Sequence, residues 1–398
     1  MELLICFVFI IVLIRIKVPV GVTLAATAIL LSFLEFGIAK SGFEPLRATL
    51  ADWETWKFIA TVILIVTFGE VLAREGYNRR LVHVLKAFLS PKAIARVAPA
   101  MIGLLPMPGG AMVSAPVVLE LARDTNISPA AKTVANYWWR HIWEPIWPLY
   151  QSVILAAAIL HITVWRVSWI ALPISITCIV AGIIFSGLPL TKTRTSSISF
   201  FKFLTGLLNC LWPILIIVIT GIGLKLDLIF GILLILLILL VMRITSLKTL
   251  WQSLRREFSW DIIILFVGSL ALMRVIVSGD AATDLTRLLG EWRFPVQAVV
   301  FVIPFLIGLL TGLTSAYVGV GFPIVMTLFP ACGGLAEGAL MAYAGGLMGI
   351  LASPVHLCLV LTKNYFGAGF GGVYRKLIPA ILFCTTILFL FKLIFYRG

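Results

Sequence analysis

Apolar runs of helical length follow one another along the chain at about 2–16, 18–36, 55–73, 133–162, 167–187, 203–221, 226–242, 260–278, 338–362 and 377–396. A helix that crosses the hydrocarbon core needs about 20 apolar residues, so the pattern predicts about ten crossings, of which 2–16 is the shortest. Two further apolar stretches, about 93–122 and 296–332, are interrupted near their middles by Gly/Pro-rich and Thr/Ser/Gly segments. Each reads either as a kinked crossing or as a re-entrant hairpin that enters and leaves on one side.

Charge placement separates these readings. With two hairpins, 20 of the 31 Lys and Arg residues fall on the cytoplasmic side and 10 outside, with Arg140 inside a run. With two full crossings the split becomes 16 to 14. Cytoplasmic loops carry the excess of Lys and Arg, so the hairpins are expected, with both termini outside. Trp53, Trp56, Trp165, Trp169, Trp251, Trp260 and Trp292 stand at run ends, where an interfacial aromatic belt puts them. The basic, amphipathic segment 74–92 is expected along the inner membrane surface, with a lipid-sensing role as its functional alternative.

Composition agrees with this pattern. The chain has 398 residues, 61% hydrophobic and 12% charged, against about half and a quarter in soluble domains. That excludes a soluble globular domain, a disordered chain and a disulfide scaffold. The net charge of +14 follows from topology, and no nucleic-acid partner is expected. Cys6, Cys178, Cys210, Cys332, Cys358 and Cys384 are scattered singly, without metal-ligand spacing, and read as packing residues. No basic region precedes the first apolar run, so that helix is expected to be retained.

The chain also repeats itself. Ile102-Gly103-Leu104-Leu105 matches Ile307-Gly308-Leu309-Leu310, at nearly equal distances after Trp56 and Trp260. Pro116-Val117-Val118 matches Pro323-Ile324-Val325, and Glu144-Pro145 corresponds in place to Ser353-Pro354. The expected organisation is a first repeat, 1–187, a linker, 188–202, and a second repeat, 203–398. Each holds five crossings and one hairpin, so the second copy is inverted. Inverted repeats with breaks at matching positions point to a secondary transporter.

Candidate chemistry lies at those breaks. In the first tip, Pro106 to Pro116, Gly109 and Gly110 admit a ligand to the backbone and Ser114 adds a hydroxyl. In the second, Thr311, Gly312, Thr314 and Ser315 combine hydroxyls with a free backbone. Helix N-termini at such breaks suit an anionic group, and released carbonyls suit a hard cation. Close helix packing is the alternative use of these small residues. Beside each tip lies a run that breaks: in 136–148, Pro145 and Pro148 disrupt the helical ladder, and Arg140, His141 and Glu144 lie within the apolar run, a depth at which charge is paired or functional. Arg140 and Glu144 are four apart, on one helix face. They pair internally, or Arg140 meets a substrate carboxylate while Glu144 or His141 holds a proton or helps hold a cation. Ser353 and His356 are their counterparts, His356 as a proton-coupling group or as a structural histidine.

P-loop, HExxH and GxSxG motifs are absent, and the aspartates sit at run ends or in loops. No enzyme and no resident cofactor or metal is expected. LLPMPGGAMVSAP and ASPVHLCLVLTKNYF resemble signature stretches of a domain-of-unknown-function family of prokaryotic polytopic membrane proteins. That family is grouped with the ion-transporter superfamily of dicarboxylate and citrate transporters, gluconate permeases and tripartite-transporter membrane subunits. The resemblance implies two inverted repeats with hairpins, an elevator-like motion, organic-anion transport with sodium or protons, and a homodimer. The Ser-Asn-Thr tips of the dicarboxylate branch are replaced here by Gly109-Gly110-Ala111 and Leu313-Thr314-Ser315.

The expectation is therefore an all-α polytopic inner-membrane protein that moves a small carboxylate-like anion, coupled to sodium or protons. The alternatives are a membrane subunit dependent on a soluble binding protein, and an exporter or antiporter of a small ion or metabolite.

Overall fold

The computed structural model describes residues 2–37, 43–89, 91–104, 111–121, 127–186, 199–279 and 295–395. Every regular element among them is helical. In chain order these are α1 (Glu2–Arg15), α2 (Val20–Phe36), α3 (Glu44–Ala51), α4 (Trp53–Arg74), α5 (Tyr77–Phe88), α6 (Pro91–Gly103), α7 (Ala111–Leu121), α8 (Pro129–His141), α9 (Gln151–Leu160) and α10 (Val164–Phe185). Then come α11 (Phe200–Val218), α12 (Leu228–Val241), α13 (Leu247–Glu257), α14 (Trp260–Ser278) and α15 (Val296–Thr311). A bent segment, Thr314–Leu328, leads to α16 (Leu335–Ala352), α17 (Leu357–Phe366) and α18 (Phe370–Phe395).

Six stretches are long and apolar enough to cross a membrane: Trp53–Arg74, Val164–Phe185, Phe200–Gly223, Trp260–Ser278, Leu335–Phe366 and Phe370–Ile394. The chain is a helical membrane protein. Other expected crossings are shorter, and the long run 133–162 is divided. Pro145 and Pro148 cannot donate to a helical ladder, so α8 stops at His141 and α9 starts only at Gln151. Ser353-Pro354 separates α16 from α17 in the same way. At about 1.5 Å per residue, α6, α7, α8, α9 and α17 each span only part of a core about 30 Å thick.

The helices pack in two groups. In the first, α14 lies against α2 and α3, while α4 lies against α12 and α13. α1 and α11 flank α2 and α12 respectively. The second group holds α6 to α10 and the chain from α15 onward, with α15 on α16, α6 on α8, α10 on α18, and α17 on α7 and α8. Glycine sets the closest approaches. A Cβ at Gly21 would lie 2.6 Å from the Leu265 backbone nitrogen, so α2 and α14 touch main chain to main chain. Along α16, Cβ atoms at Gly345 and Gly349 would overlap the Phe301 and Phe305 carbonyls of α15. This is the small-residue stripe that lets apolar helices approach without a hydrophobic driving force.

The basic segment after α4 forms its own helix, α5. Tyr77, Asn78, Leu81 and Leu85 are buried and Phe88 stacks on Phe203 of α11, centroids 4.0 Å apart. It is thus docked on the bundle along one face. Trp53 and Trp260 are exposed at the starts of α4 and α14, Trp169 in the second turn of α10, and Trp251 midway along α13, the first three as lipid-facing interfacial tryptophans would be. Trp292 lies outside the described residues.

Candidate functional site

The interrupted helices end on one another in the interior of the second group. Where α6 ends, its last carbonyls are orphaned and are taken up by the turns after α8. Tyr150 Oη donates to the Gly103 carbonyl (2.7 Å) and Trp147 Nε1 to that of Leu104 (2.8 Å). Arg140 Nη1 lies 3.5 Å from the Ile102 carbonyl. A Cβ at Gly103 would lie 2.5 Å from the Arg140 carbonyl, so only glycine permits this approach.

The end of α15 is met in kind. Gly312 closes the helix at φ +64°, a conformation that favours glycine. Ser353 Oγ donates to the Leu309 carbonyl (2.7 Å), and His356 Nδ1 lies 2.6 Å from the Gly312 carbonyl. Tyr137 Oη donates to the Ile350 carbonyl at the end of α16 (3.0 Å). At the start of α7, the Ala111 carbonyl accepts from Asn136 Nδ2 (3.0 Å) and Ser114 Oγ (3.2 Å). Asn136 also reaches Thr362 Oγ1 of α17, 3.3 Å away.

Two contacts join residues far apart in the chain. Thr314 Oγ1 donates a hydrogen bond to Glu144 Oε1. His141 Nε2 faces His356 Nε2 at 3.1 Å, while His141 Nδ1 lies 2.6 Å from the Tyr137 carbonyl. Arg140, His141, Glu144 and His356 are all buried. Glu144 Oε2 has no hydrogen-bond partner and sits 3.9 Å from His141 Nε2. Among the described residues, the donor set that could hold a metal is His141, His356 and Cys358, with ligand atoms within 4.8 Å of one another.

The sequence-level candidates divide as follows. Arg140, His141, Glu144, Gly312, Thr314, Ser353 and His356 meet at this junction. Ser114 lies at its edge, tied to Ala111 and through it to Asn136. Thr311 is occupied locally, donating to Ile307 and accepting from the Leu313 N–H. Ser315 is half-buried beside Thr314. Gly109 and Gly110 lie outside the described residues. Glu144 does not share a helix face with Arg140. The helix ends at His141, and a turn carries Glu144 to Thr314. Trp138 of α8 is fully buried, and its Nε1 donates to the Cys178 carbonyl (2.8 Å). Sequence reasoning missed Tyr137, Tyr150, Gly103 and Cys358. The Ile-Gly-Leu-Leu repeat held the signal for Gly103; nothing distinguished Cys358 from the other single cysteines.

A separate cavity of about 930 Å³ lies between the two helix groups, at one end of the bundle. The first group contributes Asp52, Lys57, Thr61, Lys225, Asp227 and Arg274; the second contributes Ala158, His161 and Arg166. Lys57 pairs with Glu54 (2.6 Å) and Asp227 (3.3 Å), and Arg274 with Asp52. These ion pairs all lie within the first group.

Fold and site together define an all-helical membrane protein whose broken helices close a buried polar junction. The chain belongs to the family described as "Protein of unknown function (DUF401)", which it matches over residues 1–395. A comparison with curated proteins gave no match.

Proposed function

We propose that this protein is a secondary active transporter of the cytoplasmic (inner) membrane that moves a small carboxylate-like anion, coupled to sodium or protons. One observation carries the reading: the hydrogen bond from Thr314 to the buried Glu144, where interrupted helices from both halves of the chain meet. Non-helical backbone and ionisable groups deep in a membrane protein are tolerated where they line a pathway or a binding site. Thr314 presents its hydroxyl to a carboxylate already, and a substrate carboxylate would take that place when Glu144 moves aside. Arg140 lies one turn from the same break.

The packing supports an inverted duplication. α14 on α2 and α3 has its counterpart in α4 on α12 and α13, and α6 on α8 has its counterpart in α15 on α16. Asp52, His161, Lys225 and Arg274 share one cavity, while Arg74, Gln252 and Arg256 meet elsewhere through α4 and α13. His161 therefore sits at the same end as the start of α4. A chain that ran straight through 93–122 would place it at the opposite end, so the shared cavity favours a hairpin there. The two helix groups with a cavity between them suit an elevator, the first group as scaffold and the second as carrier.

Uptake into proteoliposomes over a panel of labelled carboxylates, with and without sodium and pH gradients, tests the reading. Gradient-dependent uptake that Thr314→Ala and Ser114→Ala each abolish is the expected result. Transport retained in both variants would remove the site assignment, and absence of any gradient-driven flux across the panel would remove the function.

A further inference from the structure

The two histidines at the junction pose a proton-counting problem. His141 Nδ1 and His356 Nδ1 each lie 2.6 Å from a backbone carbonyl, those of Tyr137 and Gly312. A carbonyl only accepts, so each Nδ1 carries the N–H. A neutral imidazole has one N–H, which leaves both Nε2 atoms as lone pairs. Those lone pairs face each other at 3.1 Å. Two acceptors hold that distance only with a positive centre on them.

The surroundings select the kind of centre. A histidine that ligates a metal typically donates its other ring N–H to a carbonyl or carboxylate, which fixes the tautomer and aims the free nitrogen. Both rings have that arrangement. Cys358 Sγ, at the start of α17, completes a group whose ligand atoms lie within 4.8 Å of one another. Glu144 Oε2, buried and without a hydrogen-bond partner, lies 3.9 Å from His141 Nε2. Tetrahedral zinc with nitrogen ligands at about 2.0–2.1 Å sets those nitrogens about 3.3 Å apart, close to the separation here. Two nitrogens, a sulfur and a carboxylate oxygen suit a borderline transition ion and not sodium or calcium, which take oxygen ligands.

We propose that His141, His356 and Cys358, with Glu144 as the fourth donor, form a site for one zinc-type divalent transition-metal ion. Binding displaces the Cys358 thiol proton to solvent and places the metal on the two facing lone pairs. The net charge of the metal with thiolate and carboxylate is zero, and the Arg140 guanidinium lies within hydrogen-bonding reach of the sulfur. The ion ties α8 and the turn after it to the Pro354–Leu357 break and α17, so it would pin the two halves of the chain at their meeting point. The site shares Glu144 with the transport reading but does not rest on it, and binding alone tests it.

The experiment uses the tag-free full chain in detergent, titrated with Co²⁺ as a spectroscopic probe and then competed with Zn²⁺. The expected result is one Co²⁺ per chain, with tetrahedral d–d bands and a thiolate-to-cobalt charge-transfer band, all removed by Zn²⁺. Cys358→Ser is expected to lose the charge-transfer band, and His356→Gln to weaken binding by at least about tenfold. Size-exclusion profiles and helical circular dichroism check that both variants are folded. Cys358→Ser, nearly isosteric, keeps the test decisive if the histidine variant unfolds. Absence of stoichiometric cobalt binding overturns the proposal, because the positive centre between the rings is then a proton. A cobalt spectrum unchanged in Cys358→Ser overturns it equally.

Discussion

Thr314 and Glu144 stand 170 residues apart and share one partly buried hydrogen bond. Removing the hydroxyl leaves Glu144 Oε1 without its donor in a region where the other oxygen already lacks one. A buried group stripped of its partner costs about 1–3 kcal/mol, more when charged. Thr314→Ala is therefore expected to lower the thermal midpoint as well as transport, whereas Thr314→Ser keeps both; differential scanning fluorimetry beside uptake checks this. Trp138→Phe makes a second residue-scale case. It removes the donor to the Cys178 carbonyl and part of the ring that packs against Gly182. A loss of about 1–3 kcal/mol is expected, read as a lower unfolding midpoint with uptake by the folded fraction unchanged.

The residues legible in the sequence were those that break its apolar monotony. Arg140, His141 and Glu144 stand out because charge deep in a membrane protein is costly, and Gly312, Ser353 and His356 because they sit where a helix must stop. Tyr137, Tyr150 and Cys358 were not legible, since each is an ordinary member of an apolar or aromatic run. Their roles come from the carbonyls and side chains that folding brings to them from elsewhere in the chain, and no local pattern encodes those partners. The pairing of Arg140 with Glu144 on one helix face assumed that the helix continues to Pro145. The helix unwinds three residues before Glu144, and the spacing rule ceases to apply.

Element boundaries follow the same physics. The apolar runs locate most helices, and the prolines within them mark the breaks: Pro145 and Pro148 divide α8 from α9, and Pro354 divides α16 from α17. Caps and close contacts then decide how firmly each helix is seated. Asp52 caps α4, accepting from the Glu54 N–H at 3.1 Å, and also pairs with Arg274 of α14. Asp52→Ala removes both interactions and is expected to cost about 1–2 kcal/mol, since the pair is partly exposed. Asp52→Asn keeps the cap and is expected to cost less; chemical denaturation of the two variants separates cap from ion pair. Gly345→Ala tests the α15–α16 contact, where even a methyl group overlaps the Phe301 carbonyl. Forcing those backbones apart is expected to cost about 1–3 kcal/mol or more.

α13 offers an element-scale pH test outside the spans. Burial, and then the neighbouring Glu70, hold the Glu257 carboxyl above its usual range, against Arg256 and Arg74. A carboxyl raised in the folded state favours folding below its unfolded value, and that contribution is lost as pH rises through the folded value. Glu257→Gln mimics the protonated form. It is expected to raise the thermal midpoint at neutral pH and to leave it unchanged at acidic pH.

At the scale of the whole molecule, the two helix groups make different demands on the chain. The first is tied internally by ion pairs at both its ends: Lys57 with Glu54 and Asp227, Arg274 with Asp52, and Arg256 and Arg74 with Glu70. The cavity between the groups, by contrast, is crossed by no ion pair among the described residues. For the proposed elevator, a first group held by its own charges and a second group not tied to it across the cavity are what a sliding motion needs. Paired cysteines convert this into an outcome. Arg74→Cys with Gln252→Cys lies within the first group, where the native side chains are 3.1 Å apart. Lys225→Cys with Arg166→Cys lies across the cavity that both exposed residues line. Five of the six native cysteines are buried and the sixth is half-buried, so short bifunctional maleimides act mainly on the introduced pairs. Cross-linking the first pair is expected to leave uptake intact, and cross-linking the second to stop it, with reversal when a cleavable linker is cut. Uptake that survives the second cross-link would mean that the groups do not move against each other, and transport would then have to proceed through local opening at the Thr314–Glu144 contact alone.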